Sequence, residues 1–350
     1  MKTFEYIRAK SVSAAVAASV APGAAYLAAG TNLLDLMKGG AARPDRLIDI
    51  THIPGLDRIE RLPDGGLRIG ALVRNADLAR HSDLLQAYPA VAEALLSGAS
   101  GQLRNMATVG GNLLQRTRCS YFYDVASACN KREPGSGCDA RHGENRLHAI
   151  LGWSESCIAT HPSDFCVPLV AFDAIVEIEG DKGKREIPLE DFYRLPGDAP
   201  EQETALAPGE MIVALRVPGA SAAFFKHERY LKVRERTSYA FAVVSAAAAL
   251  QLEDGVIRQA RLALGGVAAK PWRARAAEET LAGAQPSEAN YRRAAEAALA
   301  NAKPSGDNAF KIELARRIVL RALTLASAGT PEHLPALPAS PFSSNIGSAP

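Results

Sequence analysis

No apolar run in the 350-residue sequence is long enough to cross a bilayer: the longest, Tyr239 to Leu252, falls short of the roughly 20 residues a spanning helix needs. The opening Met1-Lys2-Thr3-Phe4-Glu5-Tyr6 lacks an apolar secretory core. The chain is therefore expected to be soluble and cytoplasmic by its own sequence, periplasmic only if exported with a signal-bearing partner. Excess charge is lacking as well. Forty Lys and Arg against 38 Asp and Glu leave +2, which argues against nucleic acid or an acidic membrane surface as partner. Cys-x-x-Cys pairs are absent, which disfavours zinc ribbons and thioredoxin-like redox sites. An odd count of five cysteines without a secretory signal also argues against a disulfide framework. No internal repeat is present.

The length suits roughly two or three domains of about 100 to 200 residues. Phe4 to Ala9 predicts a strand, Ser11 to Ser19 a helix capped by Ser11, and Ala24 to Gly30 a strand feeding the turn Gly30-Thr31-Asn32. Leu33 to Lys38 predicts a helix stopped by Gly39-Gly40, and Arg46 to Ile50 and Gly66 to Leu72 predict strands. Helical stretches follow at Asn75 to His81 and Tyr88 to Ser97, and the apolar run Val167 to Ile178 leads to a charged hairpin at Glu179 to Gly183. A composition shift after Val217-Pro218-Gly219 places the main boundary near 220. Beyond it, Phe224 to Val233, Tyr239 to Leu252 and Arg258 to Gly265 predict antiparallel strands, with a turn at Asp254-Gly255. Helices at Ala274 to Gly283, Glu288 to Ala302 and Phe310 to Ala328 complete an α+β unit. The expected division is 1–220, including a cysteine loop at 115–160, then 221–329, then a flexible Pro/Ser/Ala-rich tail at 330–350.

All five cysteines lie between Cys119 and Cys166, spaced Cys119-x9-Cys129-x8-Cys138-x18-Cys157-x8-Cys166. Long irregular spacings suit a loop wrapped around an iron–sulfur cluster, where four thiolates ligate a 4Fe-4S centre and one is left over. Cys129 and Cys138 sit in polar sequence with no strand or helix to bury them, whereas Cys166 in Phe165-Cys166-Val167-Pro168-Leu169 fits a buried apolar site and stays outside the set. His142, His148 and His161 are read as surface or hydrogen-bonding residues rather than ligands.

Two small-residue turns offer open backbone N–H groups: Ala28-Ala29-Gly30-Thr31-Asn32, and Thr108-Val109-Gly110-Gly111-Asn112 immediately upstream of the thiols. The first alone is compatible with an ordinary βα turn. Together they can hold both phosphates of a dinucleotide. Asp164, in Pro162-Ser163-Asp164, is either an acceptor for sugar hydroxyls or a helix cap. Gly135-Ser136-Gly137-Cys138-Asp139-Ala140 matches the letters of the Rossmann fingerprint, but it follows Arg132-Glu133-Pro134 instead of an apolar strand. Its glycines are expected to let the backbone fold tightly around Cys138.

On these motifs, residues 1 to about 325 resemble the FAD-binding subunit of molybdenum-containing hydroxylases of the xanthine dehydrogenase family, of the bacterial aldehyde oxidoreductase type. The resemblance rests on Ala29-Gly30-Thr31-Asn32-Leu33, Thr108 to Leu113, Cys129-Asn130-Lys131-Arg132, Pro134 to Cys138 and Ala159-Thr160-His161-Pro162-Ser163-Asp164. It implies an α+β chain: a two-subdomain flavin-binding domain like those of vanillyl-alcohol oxidase (the PCMH type) with a cysteine loop, then a smaller domain of antiparallel sheet and helices. It implies FAD held by Leu27, Ala28, Ala29, Gly30, Thr31, Asn32 and Leu33, by Thr108, Gly111 and Asn112, and by Asp164 at the sugar-derived part. It further implies Lys232 near the isoalloxazine and the Ile212 backbone close to the ring. The aldehyde oxidoreductase subtype carries an additional 4Fe-4S cluster, which maps onto Cys119, Cys129, Cys138 and Cys157.

The implied function is electron relay, with no catalytic residue of substrate chemistry in this chain. Electrons pass from a molybdopterin-binding large subunit, through 2Fe-2S clusters of a small subunit, to FAD here and on to an external acceptor. No molybdopterin motif and no second cysteine set occur in the sequence. Two rivals are a self-contained flavin oxidase or dehydrogenase of the same fold, and a non-catalytic metal scaffold whose glycine turns are only turns.

Overall fold

The computed structural model describes residues 1–332 and residue 334. Of the tail expected at 330–350, residue 333 and everything beyond Leu334 lie outside the described residues. Thr330 is tied in, because its N–H donates to Lys226 O at 2.7 Å and its Oγ1 accepts from Glu228 N at 2.9 Å.

The chain starts as a βαβαβ unit. Strands β1 (Glu5–Arg8), β2 (Ala24–Leu27) and β3 (Arg46–Asp49) form a parallel sheet in the order β1-β3-β2, linked by helices Val12–Ser19 and Leu33–Gly39. Ser11 caps the first helix by accepting from Ala14 N at 3.1 Å, and Gly40 ends the second with φ +78°. β2 stops three residues earlier than apolarity predicts, because the chain must reach the left-handed conformation of Gly30 at φ +74°.

A second, antiparallel sheet holds β4 (Ile59–Arg61), β5 (Leu67–Gly70), β6 (Ile175–Gly180), β7 (Gly183–Pro188) and β8 (Met211–Val217) in the order β4-β5-β8-β6-β7. The apolar run Val167 to Ile178 holds most of a short helix, Cys166–Ala171, after which Asp173 turns the chain at φ +55° into β6.

The third sheet contains β9 (Glu228–Val233), β10 (Val244–Glu253), β11 (Val256–Gly265) and β12 (Trp272–Arg273), antiparallel in the order β12-β11-β10-β9. Positive φ at Asp254 and Gly255 makes the tight two-residue turn between β10 and β11. β10 is apolar from Ala246 to Leu250 because both its faces are covered there. Ala247 and Ala249 enter a core shared with β5, β6, β8 and the Pro89–Ser97 helix, while Ala246, Ala248 and Leu250 enter one shared with helices Arg275–Leu281, Glu288–Ala298 and Phe310–Ala328. Small alanines let two layers approach one strand closely. β9 and β10 also start later than expected: Gly219–Phe224 is a 3-10 helix, and residues 234–243 form a loop that brings Tyr239 and Phe241 outside the sheet. Among the described residues no helix is long and apolar enough to cross a membrane.

Asp49 fastens the first sheet. Its carboxylate accepts from Tyr6 and, at 3.1 Å, from Arg8 of β1, and from Thr51 N at 2.9 Å. Burial pushes its pKa up, but the bonds from Thr51, Tyr6 and Arg8 outweigh burial and bring it from 3.8 down to about 2. The folded chain therefore binds this proton less readily than the unfolded one. The stabilisation, about 2 kcal/mol, is fully present above the unfolded value and is lost as pH falls towards the folded one. Asp49→Asn should lower the thermal midpoint at neutral pH and flatten the decline of stability below pH about 4; an unchanged acid limb would contradict this role.

Candidate functional site

A cleft of about 610 Å³ opens between both glycine turns, the end of the Pro89–Ser97 helix, the stretch Thr160 to Phe165, and β9 with the loop that follows it. That volume lies within the roughly 300–1,000 Å³ typical of cofactor and small-molecule pockets. Thr31, Asn32, Gly111, Asn112, Asp164 and Lys232 stand on its wall. Leu27, Ala28, Ala29, Gly30 and Leu33 form the strand end and turn that carry Thr31 and Asn32. A Cβ on Gly30 would sit 2.7 Å from the movable Leu34 Cδ1, and the φ of +74° strains any other residue at this bend. Thr108 is buried behind the second turn, where its Oγ1 caps the Val109–Leu113 helix by accepting from Gly111 N at 3.3 Å. Ile212 is buried in β8 opposite Ile178 and is not on the cleft wall.

The two asparagines act as ties. Asn32 Oδ1 accepts from Arg116 N at 2.8 Å and its Nδ2 donates to Tyr123 Oη at 3.3 Å, joining the first turn to the cysteine segment. Asn112 Oδ1 accepts from Ser163 Oγ at 2.8 Å and from Gln115 Nε2 at 2.6 Å, joining the second turn to the residue before Asp164.

Asp164 and Lys232 meet on the cleft wall at 2.7 Å, with side chains 8% and 2% exposed. Lys232, which strand sequence alone would leave in solvent, is thus buried. Tyr230 Oη donates to the other Asp164 oxygen at 2.6 Å. Sequence reasoning missed Tyr230, although its position two residues before Lys232 on one strand puts both side chains on the same face. Lys232 Nζ and Arg234 also donate to Ser97 O at 3.3 and 3.2 Å, and Arg104 to Gly98 O at 2.7 Å. Three cations therefore clamp a turn whose next residue, Ala99, is held at φ +53°. Burial, with Arg80 nearby, draws the Arg104 pKa down. This edge is positive, and of its three cations only Lys232 was named from the sequence. Arg118 over the Phe241 ring, 4.9 Å from its centroid, supplies a further wall.

Behind the cleft, Cys119, Cys129, Cys138 and Cys157 line one small apolar cavity. Cys129 and Cys138 face each other across an isolated antiparallel bridge, and Cys157 pairs with Ser154 in another. The enclosing loop is held by side chains bonded to backbone. Asn130 donates to Ser156 O at 3.0 Å and accepts from Gly137 N at 2.8 Å; Lys131 donates to Pro200 O at 2.8 Å; Arg132 donates to Tyr121 O and Phe122 O at 2.7 and 2.9 Å. Gly135 and Gly137 adopt φ of +85° and +104°, which suits the tight path next to Cys138. Burial, together with neighbouring Cys129 and Cys157, keeps the Cys119 thiol up at about 12; burial raises Cys138 and Cys157 too. Such thiols become thiolates only if a cationic centre replaces their protons. Among the described residues no group of three or more His, Cys, Asp or Glu is placed to chelate a single metal ion.

Cys166 lies outside this cavity, fully buried, its thiol pushed up to about 11 by burial and 3.1 Å from Tyr193 Oη. His142 is exposed. His161 makes an edge-on contact with the Tyr193 ring, centroids 4.5 Å apart, and burial, with Lys131, draws its pKa down to about 3. His148 is buried at the cleft, its Nε2 3.2 Å from Cys119 Sγ.

Comparison with known proteins adds relatives of this whole architecture. Residues 2–220 match the model described as "FAD binding domain in molybdopterin dehydrogenase", and residues 229–326 match "CO dehydrogenase flavoprotein C-terminal domain". The chain is 52% identical over 330 residues to the aldehyde oxidoreductase FAD-binding subunit PaoB of Escherichia coli K12, covering 94% of this chain and 99% of that protein. It is 28% identical to the carbon monoxide dehydrogenase medium chain of Hydrogenophaga pseudoflava, over 92% of this chain and 96% of the other. A solved structure of carbon monoxide dehydrogenase from that organism superposes with a TM-score of 0.73 at 29% identity, covering 93% of this chain and 98% of that chain.

Proposed function

The chain belongs to the FAD-binding family of molybdopterin dehydrogenases, an oxidoreductase flavoprotein subunit of aldehyde oxidoreductase and xanthine dehydrogenase type, and we propose that it relays electrons within a heterotrimer. Its partners in this reading are a molybdopterin-binding large subunit and a 2Fe-2S small subunit. The substrate side is aldehyde oxidation, as the name of its relative from E. coli suggests. An external acceptor takes the electrons at the end.

The carrying observation is that Thr31 and Asn32, Gly111 and Asn112, Asp164 and Lys232 converge on one cleft of cofactor size. These residues fit FAD. The bend at Gly30 brings the backbone of Thr31 and Asn32 to the cleft, suited to a diphosphate, whereas the N–H groups of Val109 to Asn112 are engaged by Val73 O, Ala71 O, Thr108 Oγ1 and Thr108 O, so the second turn contributes its small surface at Gly111. The Asp164 carboxylate, oriented by Tyr230 and Lys232, retains acceptor capacity for sugar-derived hydroxyls. Lys232 places a positive charge at the same wall. When bound, FAD supplies the redox chemistry, while the chain positions it and excludes side reactions.

We assign a 4Fe-4S cluster to Cys119, Cys129, Cys138 and Cys157. Support comes from their shared cavity and from the burial that disfavours free thiolates there. A cube spreads its four thiolates over four irons, so its ligands need not converge tightly enough to chelate one ion. Two units, 1–220 with the cysteine loop and 221–329, are proposed as the domains, the cleft lying between their residues.

Asp164→Ala should weaken FAD binding by about 1–3 kcal/mol, read as flavin released on dilution, with Asp164→Asn losing less because it keeps an acceptor oxygen. Unchanged affinity in Asp164→Ala would count against the assignment. Cys129→Ser should remove the 4Fe-4S share of the iron and of the broad absorption while leaving most flavin and the 2Fe-2S centres in place; retention of full iron would exclude Cys129 as a ligand.

A further inference from the structure

Of the four cysteines around the thiol cavity, Cys119 alone also lines the flavin cleft. His148 stands beside it on the cleft wall, with Nε2 3.2 Å from Cys119 Sγ. The position of this histidine is set from a distance. Its carbonyl accepts from Lys311 Nζ at 2.7 Å and from Asn308 Nδ2 at 3.0 Å, and its N–H donates to Asn145 O at 2.9 Å. Lys311 comes from the last helix, Phe310–Ala328, and is wholly buried. The carbonyls of Leu147, His148 and Gly266, at 2.9, 2.7 and 2.7 Å, match the three protons of its ammonium. Asn308 adds a bond to Ala149 O at 3.1 Å. The C-terminal unit thus fixes the backbone from which the imidazole reaches the sulfur.

The ring chemistry points one way once the sulfur carries metal. A metal-bound thiolate has no proton and only accepts. His148 Nδ1 is buried and makes no hydrogen bond of normal geometry, the Asn145 carbonyl being the one backbone acceptor that acts on the ring, so the geometry at Cys119 favours the tautomer that carries its proton on Nε2. Reduction of an iron–sulfur cluster adds negative charge, and hydrogen bonds to its sulfurs favour the reduced form, which raises the potential.

We propose that His148 is a positioning residue for the cluster: its Nε2–H donates to the Cys119 sulfur and raises the cluster's potential at the side facing the flavin. The inference rests on the reading of the four cysteines as 4Fe-4S ligands. A role in packing alone would be filled by any apolar side chain of similar size, whereas the hydrogen bond requires a donor at this position.

The test is a redox titration of the anaerobically prepared complex, followed by electron paramagnetic resonance, for the parent chain, His148→Leu and His148→Gln. Leu removes the donor, and Gln places an amide N–H close to the Nε2 position. The 4Fe-4S midpoint should move to a more negative potential in His148→Leu and return most of the way in His148→Gln, with the flavin and 2Fe-2S midpoints unmoved in both. Retention of iron in His148→Gln with its loss from His148→Leu also supports the donor. A parent-like midpoint in His148→Leu, equal shifts in the two variants, or loss of iron from both overturns the proposal. Absence of any 4Fe-4S signal from the parent complex instead removes the cluster itself, an outcome distinct from a cluster that ignores His148.

Discussion

The buried ion pair between Asp164 and Lys232 is the constraint on which the site depends. Both charges are almost wholly removed from water, and such a pair adds little net stability because desolvation offsets much of the attraction. Its consequence is geometric. Asp164 follows the cysteine excursion, Lys232 lies on β9, and Tyr230 on the same face of that strand holds the second carboxylate oxygen. Removing one partner would strand a charge at the cleft, so the two segments are kept in one register. Glu93, buried in the Pro89–Ser97 helix, extends this fixation by accepting from Tyr230 N at 2.7 Å and Arg229 Nε at 3.1 Å.

The cysteine segment is accommodated by a different device. With little regular structure to satisfy its backbone, it relies on Asn130, Lys131 and Arg132, three consecutive side chains that each bond a different part of the chain. Asn32 and Lys311 tie its two ends, one to the first glycine turn and the other to the last helix. The thiol cavity and the flavin cleft consequently share a wall at Cys119. Redox function depends on such fixed spacing, and here it comes from many individually modest side-chain bonds to backbone carbonyls.

Local features were legible in the sequence because local chemistry determines them. Ser11 announces its helix, Asp254-Gly255 its hairpin, and Gly30 and Gly110-Gly111 their turns. The alanine run of β10 is recognisable as a buried strand, although which face each alanine serves depends on layers formed by distant residues. The cleft's remaining polar wall was not legible. Tyr230 reaches Asp164 over 66 positions, and Ser97 O meets Lys232 over 135, so neither contact leaves a local signature. Tyr239 and Phe241 read as strand because they are apolar, yet they leave the sheet to line the cleft. The resemblance places the Ile212 backbone near the ring, a main-chain role on which the burial of its side chain in β8 does not bear.

The cleft is built from both halves of the chain, and hydrogen–deuterium exchange of the deflavinated protein with and without added FAD tests that most directly. Slowed exchange should appear together in Thr31 to Asp35, Gly98 to Arg104, Gly111 to Arg118, Thr160 to Phe165 and Lys232 to Val243. Protection confined to residues before 220, with Lys232 to Val243 unaffected, would contradict a flavin site shared across the Asp164–Lys232 pair.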